Sequence, residues 1–331
     1  MKVAAVVPHW NRKDLLQALL ANLREQARAF DQIIVVDNGS TDDSAAVAER
    51  AGAKVIRLGR NLGFAAAVNR GIEAAFLEAP GADWIAILNN DVTLANDWLA
   101  TLLAAAEEEE AWFATGKTLM AGDPSRGARI DGTFDAISRG ACAYRCGSGK
   151  PDGPLWNQPG RIRMAPMTAA LFRRRLFEEV GSLDETFESY LEDIDFGIRC
   201  AIHERWGVYV PAATARHLGS STWGQWNKYS VRLIARNQTL LAAKHFQGLS
   251  RWPIVAGQLL WGILAFCHGC AGAYLQGKMA GMRVARTFPS RKPASRNVEA
   301  LFRESEQTIL DIQRQTGFDR YWRAYFWLLG L

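Results

Sequence analysis

The sequence predicts an α/β fold, a parallel sheet covered by helices on both faces, followed by a C-terminal helical region. Three observations carry this. Apolar runs of strand length alternate with segments of helical period through the first third. Those runs are nearly continuous in apolar residues, which marks strands buried on both sides. With 331 residues, 49% hydrophobic and 22% charged, the chain is long enough for one large domain or a domain with a smaller appendage.

The elements follow in order. "KVAAVVP" is a first strand; it lacks the small-residue cleavage site of a signal peptide. "RKDLLQALLANLREQA" repeats leucine at helical spacing. "QIIVVD" is the second strand, and "NGSTDDSAAVAERAG" opens a helix that Ser40, Thr41 or Asp42 can cap and Gly52 stops. "AKVIRL", "GFAAAVNRGIEAAFLEA" and "DWIAIL" supply a third strand, a third helix and a fourth strand. Ligands of such sheets gather at the carboxyl ends of the strands. Asp37 and the cluster Asn89, Asn90, Asp91 fall at two such ends. Turn capping by Asp37, or helix capping by Asp91 near Ala95, is the bland alternative.

The glycine fingerprint of a dinucleotide site is missing after the first strand, where "PHWNRKD" stands, and there is no phosphate-binding G-x-x-x-x-G-K-[ST] loop. A diphosphate bound at this edge therefore has to be neutralised another way, for which a divalent cation held by a carboxylate is the usual device, and Asp91 is the natural ligand.

The blocks "VVPHWNR", "VVDNGSTDDS", "NLGFAAAVNRG" and "ILNNDV", with "TAALFRRRLFEEVGSLDETFESYLEDIDFGIRC" and "VYVPAATARHLGSST" further on, resemble the family 2 glycosyltransferases, and within them the rhamnosyltransferase-like enzymes of bacterial cell-surface polysaccharides. The resemblance spans residues 1–220 and implies the A-type glycosyltransferase fold, a Rossmann-like, mixed and mainly parallel sheet, acting on a nucleoside-diphosphate sugar. Residues 221–331 are then a helical, basic, membrane-associating region. By the same resemblance Asp37 contacts the nucleobase, Pro8, Trp10 and Asn11 lie beside the nucleoside, and Asn61 and Asn69 belong to the loop and helix next to it. Packing is the alternative for Phe64 and Ala65 to Ala67 in that helix. "NND" stands where the family has its D-x-D metal motif. Asn89 replaces the first carboxylate and, with Asn90, is left to hydrogen-bond the donor; Asp91 holds Mg or Mn, helped by His217, which occupies the place of a metal-ligating histidine in some members.

In "YLEDIDFGIRC" a helix brings Glu192, Asp195 and Arg199 towards one face while Asp193 projects at another angle. Three clustered carboxylates repel one another unless something uses them, and sugar transfer needs a base for the acceptor hydroxyl. The resemblance gives that role to Asp193, with Glu192 and Asp195 positioning the acceptor or orienting local donors. The reaction implied is an inverting displacement. Its donor is dTDP-rhamnose or a UDP-sugar, since Asp37 can pair with the imide edge of either base, and its acceptor a saccharide or lipid-linked saccharide. A sugar nucleotidyltransferase, a retaining transferase and a non-catalytic membrane scaffold are the rivals. "GSSTWGQWNK" suits a flap, and Gly122–Arg163 suits acceptor-side loops.

From Arg205 to Val298 there is no Asp or Glu, within a net charge of +5. Trp206, Trp223, Trp226, Trp252 and Trp261 accompany the basic residues there, which favours an acidic membrane surface over nucleic acid. The charge-free run "WPIVAGQLLWGILAFCHGCAGAYLQG" is long enough to span, but Gln258, His268, Gln276 and several glycines point instead to a helix lying in the interface or buried in a core or oligomer. The expected location is cytoplasmic, peripheral at the inner face of the plasma membrane. Five cysteines suit reduced thiols better than a zinc site pooled from Cys142, Cys146, Cys267 and Cys270.

Overall fold

The computed structural model describes residues 1–77, 81–122, 127–219, 226–288 and 296–331. The chain forms two units: residues 1–134, 147–188 and 196–219 make the first, and residues 135–146, 189–195 and 220–331 the second.

In the first unit β1 (Val3–His9), β2 (Gln32–Asp37), β3 (Lys54–Arg57) and β4 (Trp84–Leu88) pair in parallel in the order β3-β2-β1-β4. The connecting helices are α1 (Lys13–Arg24), α2 (Ser44–Arg50) and α3 (Phe64–Leu77). The short β5 (Val92–Leu94) and the helix α4 (Trp98–Glu108) follow, then β6 (Phe113–Met120) and β7 (Ile130–Gly132). In the second unit β8 (Asp135–Ile137) and β9 (Ala143–Arg145) form a separate hairpin. Back in the first, β10 (Gly160–Ile162), β11 (Ala169–Arg173), α5 (Arg174–Val180), α6 (Glu192–Ile202, whose first four residues belong to the second unit) and β12 (Gly207–His217) complete the framework. The sheet extends β4-β11-β6-β12-β10, with β11 antiparallel to both neighbours and β12 parallel to β6.

Successive β1 residues serve opposite faces, as the two-residue period of a strand requires. Val3, Ala5 and Val7 pack with Leu16, Leu19, Leu20 and Leu23 of α1 and with α4, whereas Ala4 and Val6 pack with α3, α5 and the Phe196 end of α6. Leu16, Leu19, Leu20 and Leu23 recur at helical spacing, which is why α1 forms and which side it buries. Leu20→Ala is expected to cost about 2–5 kcal/mol by chemical denaturation. Ala65, Ala66 and Ala67 are core residues, so the packing reading holds for them. Small size also lets α3 come close: a Cβ on Gly71 would meet Val6 Cγ1 at 2.3 Å.

The second unit also contains α7 (Lys228–His245), α8 (Arg251–Cys267), α9 (Ala271–Ala285), α10 (Arg296–Thr316) and α11 (Arg320–Leu329). α9 packs on α7 through Gly277 and Gly281; a Cβ on Gly277 would stand 2.2 Å from the Arg232 carbonyl oxygen. The charge-free run is two helices broken at His268–Cys270, with Gly269 at φ 70°. Among the described residues no helix is long and apolar enough to cross a membrane, so the spanning alternative fails. The expected flap, with Trp223, falls largely on residues 220–225, outside the described residues.

Candidate active site

The strand order reverses between β2-β1 and β4, and it is at the carboxyl ends of strands beside such a reversal that α/β sheets take their ligands. His9 ends β1 there, and its Nδ1 lies 2.9 Å from Asn90 Nδ2, so the ring nitrogen accepts the amide proton. Burial lowers the His9 pKa to about 4 against the pull of Asp42, Asp37 and Asp14, leaving a neutral ring. Its Nε2 is buried without a hydrogen-bond partner among the described residues. His9 was not singled out from the sequence, although it stands inside the quoted "VVPHWNR".

Asn11 and Arg12 follow in left-handed backbone, φ 55° and 62°, a conformation unusual outside glycine. Asn11 N–H donates to Ser40 Oγ at 2.8 Å, and Asn11 Oδ1 accepts from Thr41 N–H at 2.9 Å, which ties this loop to the turn after β2. Pro8 and Trp10 are half-buried beside it. Asp37 Oδ1 accepts from Ser40 N–H at 3.0 Å, so the turn-capping role is real and uses one carboxylate oxygen. Gly39 completes that turn at φ 80°, and a Cβ there would overlap the Arg60 backbone at 2.5 Å. Asn61 Oδ1 accepts from Asn38 Nδ2 at 3.1 Å and from Gly63 N–H at 2.9 Å, fixing the loop before α3. Asn69 is fully engaged elsewhere: it exchanges hydrogen bonds with the Leu183 backbone at 2.9 and 3.0 Å and donates to Glu185. Its place is in the core of the helix packing.

Asp91 does not cap α4; the intervening β5 pairs antiparallel with β12, Val92 opposite His217. That register brings Asp91 Oδ1 within 3.1 Å of His217 Nε2. Asn89 and Asn90 fill the turn between β4 and β5. On the far side of the imidazole, Asp131 of β7 holds Nδ1 at 2.9 Å. Burial opposes a charged ring, but the hydrogen bonds and charges of Asp131 and Asp91 outweigh it and raise the His217 pKa to about 9. Because the folded value lies above the unfolded 6.5, the stabilisation is complete below pH 6.5 and is lost as pH rises through about 9. An NMR titration of the protein without metal is expected to show His217 changing charge near pH 9, and Asp131→Asn is expected to lower that midpoint.

No cluster of three or more His, Cys, Asp or Glu able to hold a metal occurs among the described residues. Asp91 and His217 nevertheless fit a divalent ion that takes its other ligands from substrate: one carboxylate oxygen and one imidazole nitrogen, 3.1 Å apart. Asp131 would fix the tautomer that leaves Nε2 for such an ion.

The second constellation belongs to the second unit. Tyr190 and Leu191 have φ 70° and 67°, and Asn237 of α7 pins this turn by donating to the carbonyls of Ser189 and Tyr190 at 2.9 and 2.7 Å. The turn delivers Glu192, Asp193 and Asp195 on the first turn of α6 in three different environments. Asp195 is 0% exposed and lies 2.7 Å from both Lys244 Nζ and His245 Nε2. Removing it strands both partners, so Asp195→Ala is expected to cost about 3–5 kcal/mol in a denaturant melt. Glu192 is buried, and burial followed by the charge of Asp193 pushes its carboxyl well above the usual range. Its Oε2 has no hydrogen-bond partner among the described residues. Asp193 keeps partial access to solvent, accepts from Ile194 N–H at 2.8 Å, and has Arg145 Nη2 3.8 Å from Oδ2. Arg145 is in turn 3.5 Å from Asp135. The repulsion expected of three adjacent carboxylates is thus met by ion pairing at Asp195 and by the upward shift of the Glu192 carboxyl. Asp193 is left as the accessible carboxylate. Arg145, Lys244 and His245 carry no sequence signal that connects them to it.

Residues 4–181 match the profile of the family described as Glycosyl transferase family 2. The chain belongs to that family. The family match covers Asp37 and Asn89 to Asp91 and ends before Glu192. An N-acetylglucosaminyl-diphospho-decaprenol L-rhamnosyltransferase of Mycobacterium tuberculosis is 29% identical over 258 residues, 72% of this chain and 83% of that protein. In fold, this family 2 chain is similar to GalNAc-T7, solved with UDP, GalNAc and Mn2+, at TM-score 0.63 and 13% identity; the alignment covers 96% of this chain and 58% of the other. It is also similar to the mannosyltransferase PcManGT of Pyrobaculum calidifontis, solved with GDP-Man and Mn2+, at TM-score 0.52 and 16% identity, over 98% of this chain and 85% of that one. The A-type glycosyltransferase fold is the fold of this chain.

Proposed function

We propose that this family 2 glycosyltransferase moves a hexose from a nucleoside-diphosphate sugar to a hydroxyl of a lipid-linked saccharide, with inversion and with Mg or Mn. dTDP-rhamnose is the favoured donor and a UDP-sugar the alternative. The product belongs to cell-surface polysaccharide synthesis at the inner face of the plasma membrane. The observation that carries the reading is the pairing of Asp91 with His217 at the carboxyl edge of the sheet, in a family member with a rhamnosyltransferase relative.

Asp37, with the loop of Pro8, Trp10 and Asn11, receives the nucleoside, and Asn61, Asn89 and Asn90 supply amide groups for the rest of the donor. Asp91 and His217 would hold the divalent ion, which when bound supplies positive charge to the leaving diphosphate. Asp193 takes the proton of the acceptor hydroxyl as its oxygen bonds to the anomeric carbon and the bond from that carbon to the diphosphate oxygen breaks. The nucleoside diphosphate departs with the bonding pair. Arg145 holds the Asp193 carboxylate, and Glu192 positions the acceptor. Asp195 acts by positioning: through Lys244 and His245 it fixes the start of α6.

The test is nucleotide release from dTDP-rhamnose, UDP-sugars and GDP-sugars, with and without a diphospholipid-linked N-acetylglucosamine acceptor, in Mg, Mn or chelator. Metal-dependent release from one donor is expected, accelerated by the acceptor. Absence of both turnover and donor binding would favour a non-catalytic scaffold.

A further inference from the structure

The outward side of the α8–α9 hairpin is apolar in a way the rest of the second unit does not explain. On α8, Trp252, Val255, Leu259, Ile263 and Phe266 are all exposed, Phe266 to 72%. They recur at steps of three and four residues, so they form one stripe along the helix. The buried residues of α8 are small or compact, Pro253, Ala256, Gly257 and Ala265. The large side chains thus face out and the small ones in, the reverse of an ordinary amphipathic helix. On α9, Leu275, Met279 and Met282 repeat the pattern while Ala273, Gly277 and Gly281 are buried. α11 continues the surface: Trp252 Nε1 donates to the Leu328 carbonyl at 3.3 Å, and the neighbouring Trp327 is 77% exposed. A large apolar surface of this kind marks an interaction site.

The charges select the occupant. α7, α8, α9 and α11 contain no Asp or Glu. Arg251, Arg283, Arg286 and Arg323 are exposed on or at the ends of α8, α9 and α11, and Lys228 and Arg232 line a cleft at the hairpin turn with Gly269 and Gln276. Lys278 turns inward to Gln238 and Gln258 at 3.0 and 2.7 Å and is not part of this fringe. A second copy of the chain would set the same arginines against one another, since a two-fold interface repeats one patch on both sides. An anionic bilayer meets the apolar stripe with hydrocarbon and the fringe with phosphate, and tryptophan suits its interface.

We propose that the α8–α9 face, extended by Trp327, lies in the interface of an anionic lipid bilayer, held by the apolar stripe and by the arginine fringe. The assignment locates the membrane contact of the proposed lipid-linked reaction, but its evidence is independent of that reaction. The test is co-sedimentation of the full chain with phosphatidylglycerol-containing vesicles and with pure phosphatidylcholine vesicles, together with light scattering of the lipid-free protein. Binding to the anionic vesicles is expected to be stronger by about tenfold or more, to weaken with salt, and to fall by about tenfold in Leu259→Glu/Phe266→Glu. Arg283→Gln/Arg286→Gln, which leaves the stripe intact, is expected to weaken it less and to flatten its salt dependence; circular dichroism checks that both variants fold. Equal binding by the wild type and the folded stripe variant, or no binding by the wild type, overturns the proposal. So does a dimer that the stripe variant dissociates, which would make this face a subunit contact. Vesicle binding is read without turnover, so its failure is distinguishable from failure of the transferase reading.

Discussion

Asp193→Asn is expected to lower the turnover number by about 10²–10⁴-fold, the range a positioned general base contributes, with donor affinity and melting temperature close to wild type. The amide keeps the acceptor for the Ile194 N–H and removes the capacity to take a proton and the charge facing Arg145. A steady-state assay with saturating donor and acceptor measures the loss. The expected signature is a fall in kcat with little change in the donor KM, because the missing interaction develops in the transition state. A variant that retains more than about a tenth of wild-type kcat would remove Asp193 from the role of base.

Asp91→Ala is expected to abolish Mn2+ binding and to lower transfer by about 10²–10³-fold, the scale of losing a preorganised electrostatic contact to a leaving group. Asp91 Oδ1 lies 3.1 Å from His217 Nε2, and without it the imidazole keeps its pairing with Asp131. Electron paramagnetic resonance of free Mn2+ checks the binding directly. The two variants are expected to separate cleanly: Asp193→Asn keeps metal binding and loses turnover, whereas Asp91→Ala loses both. Unchanged Mn2+ affinity in Asp91→Ala would move the metal site elsewhere.

The parallel half of the sheet was legible because its buried strands are apolar runs and α1 repeats leucine at helical spacing, signals that local sequence carries unaided. The position of Asp91 at a strand end was legible for the same reason. Its partner Asp131 was not. The Asp91–His217–Asp131 chain depends on β5 pairing with β12 and β7 with β6, and three-residue strands such as β5 and β7 leave almost no periodic trace. Asn69, a polar residue in a matching motif, exchanges hydrogen bonds with the Leu183 backbone, a contact 114 positions along the chain that the motif does not announce. In the acidic cluster, residue type was informative but environment was not. Only the approach of Lys244 and His245 from α7, about fifty positions along the chain, distinguishes Asp195 from Asp193. The reach of residues 252–277 was misleading at first sight, since a charge-free run long enough to span is cut by the turn at Gly269 into two helices. The outward turn of the large apolar residues on α8 depends on the small residues it buries against its neighbours, and Trp327 joins that surface only through the packing of α11.

The measurement that tests the account most directly is the anomeric configuration of the first-formed product, read by NMR during transfer from the donor found active in the nucleotide-release assay. A single displacement with Asp193 as base predicts inversion at the anomeric carbon. Retention would contradict it, because it needs no base at Asp193 and would leave that partly accessible carboxylate, and the arginine held against it, without a chemical role.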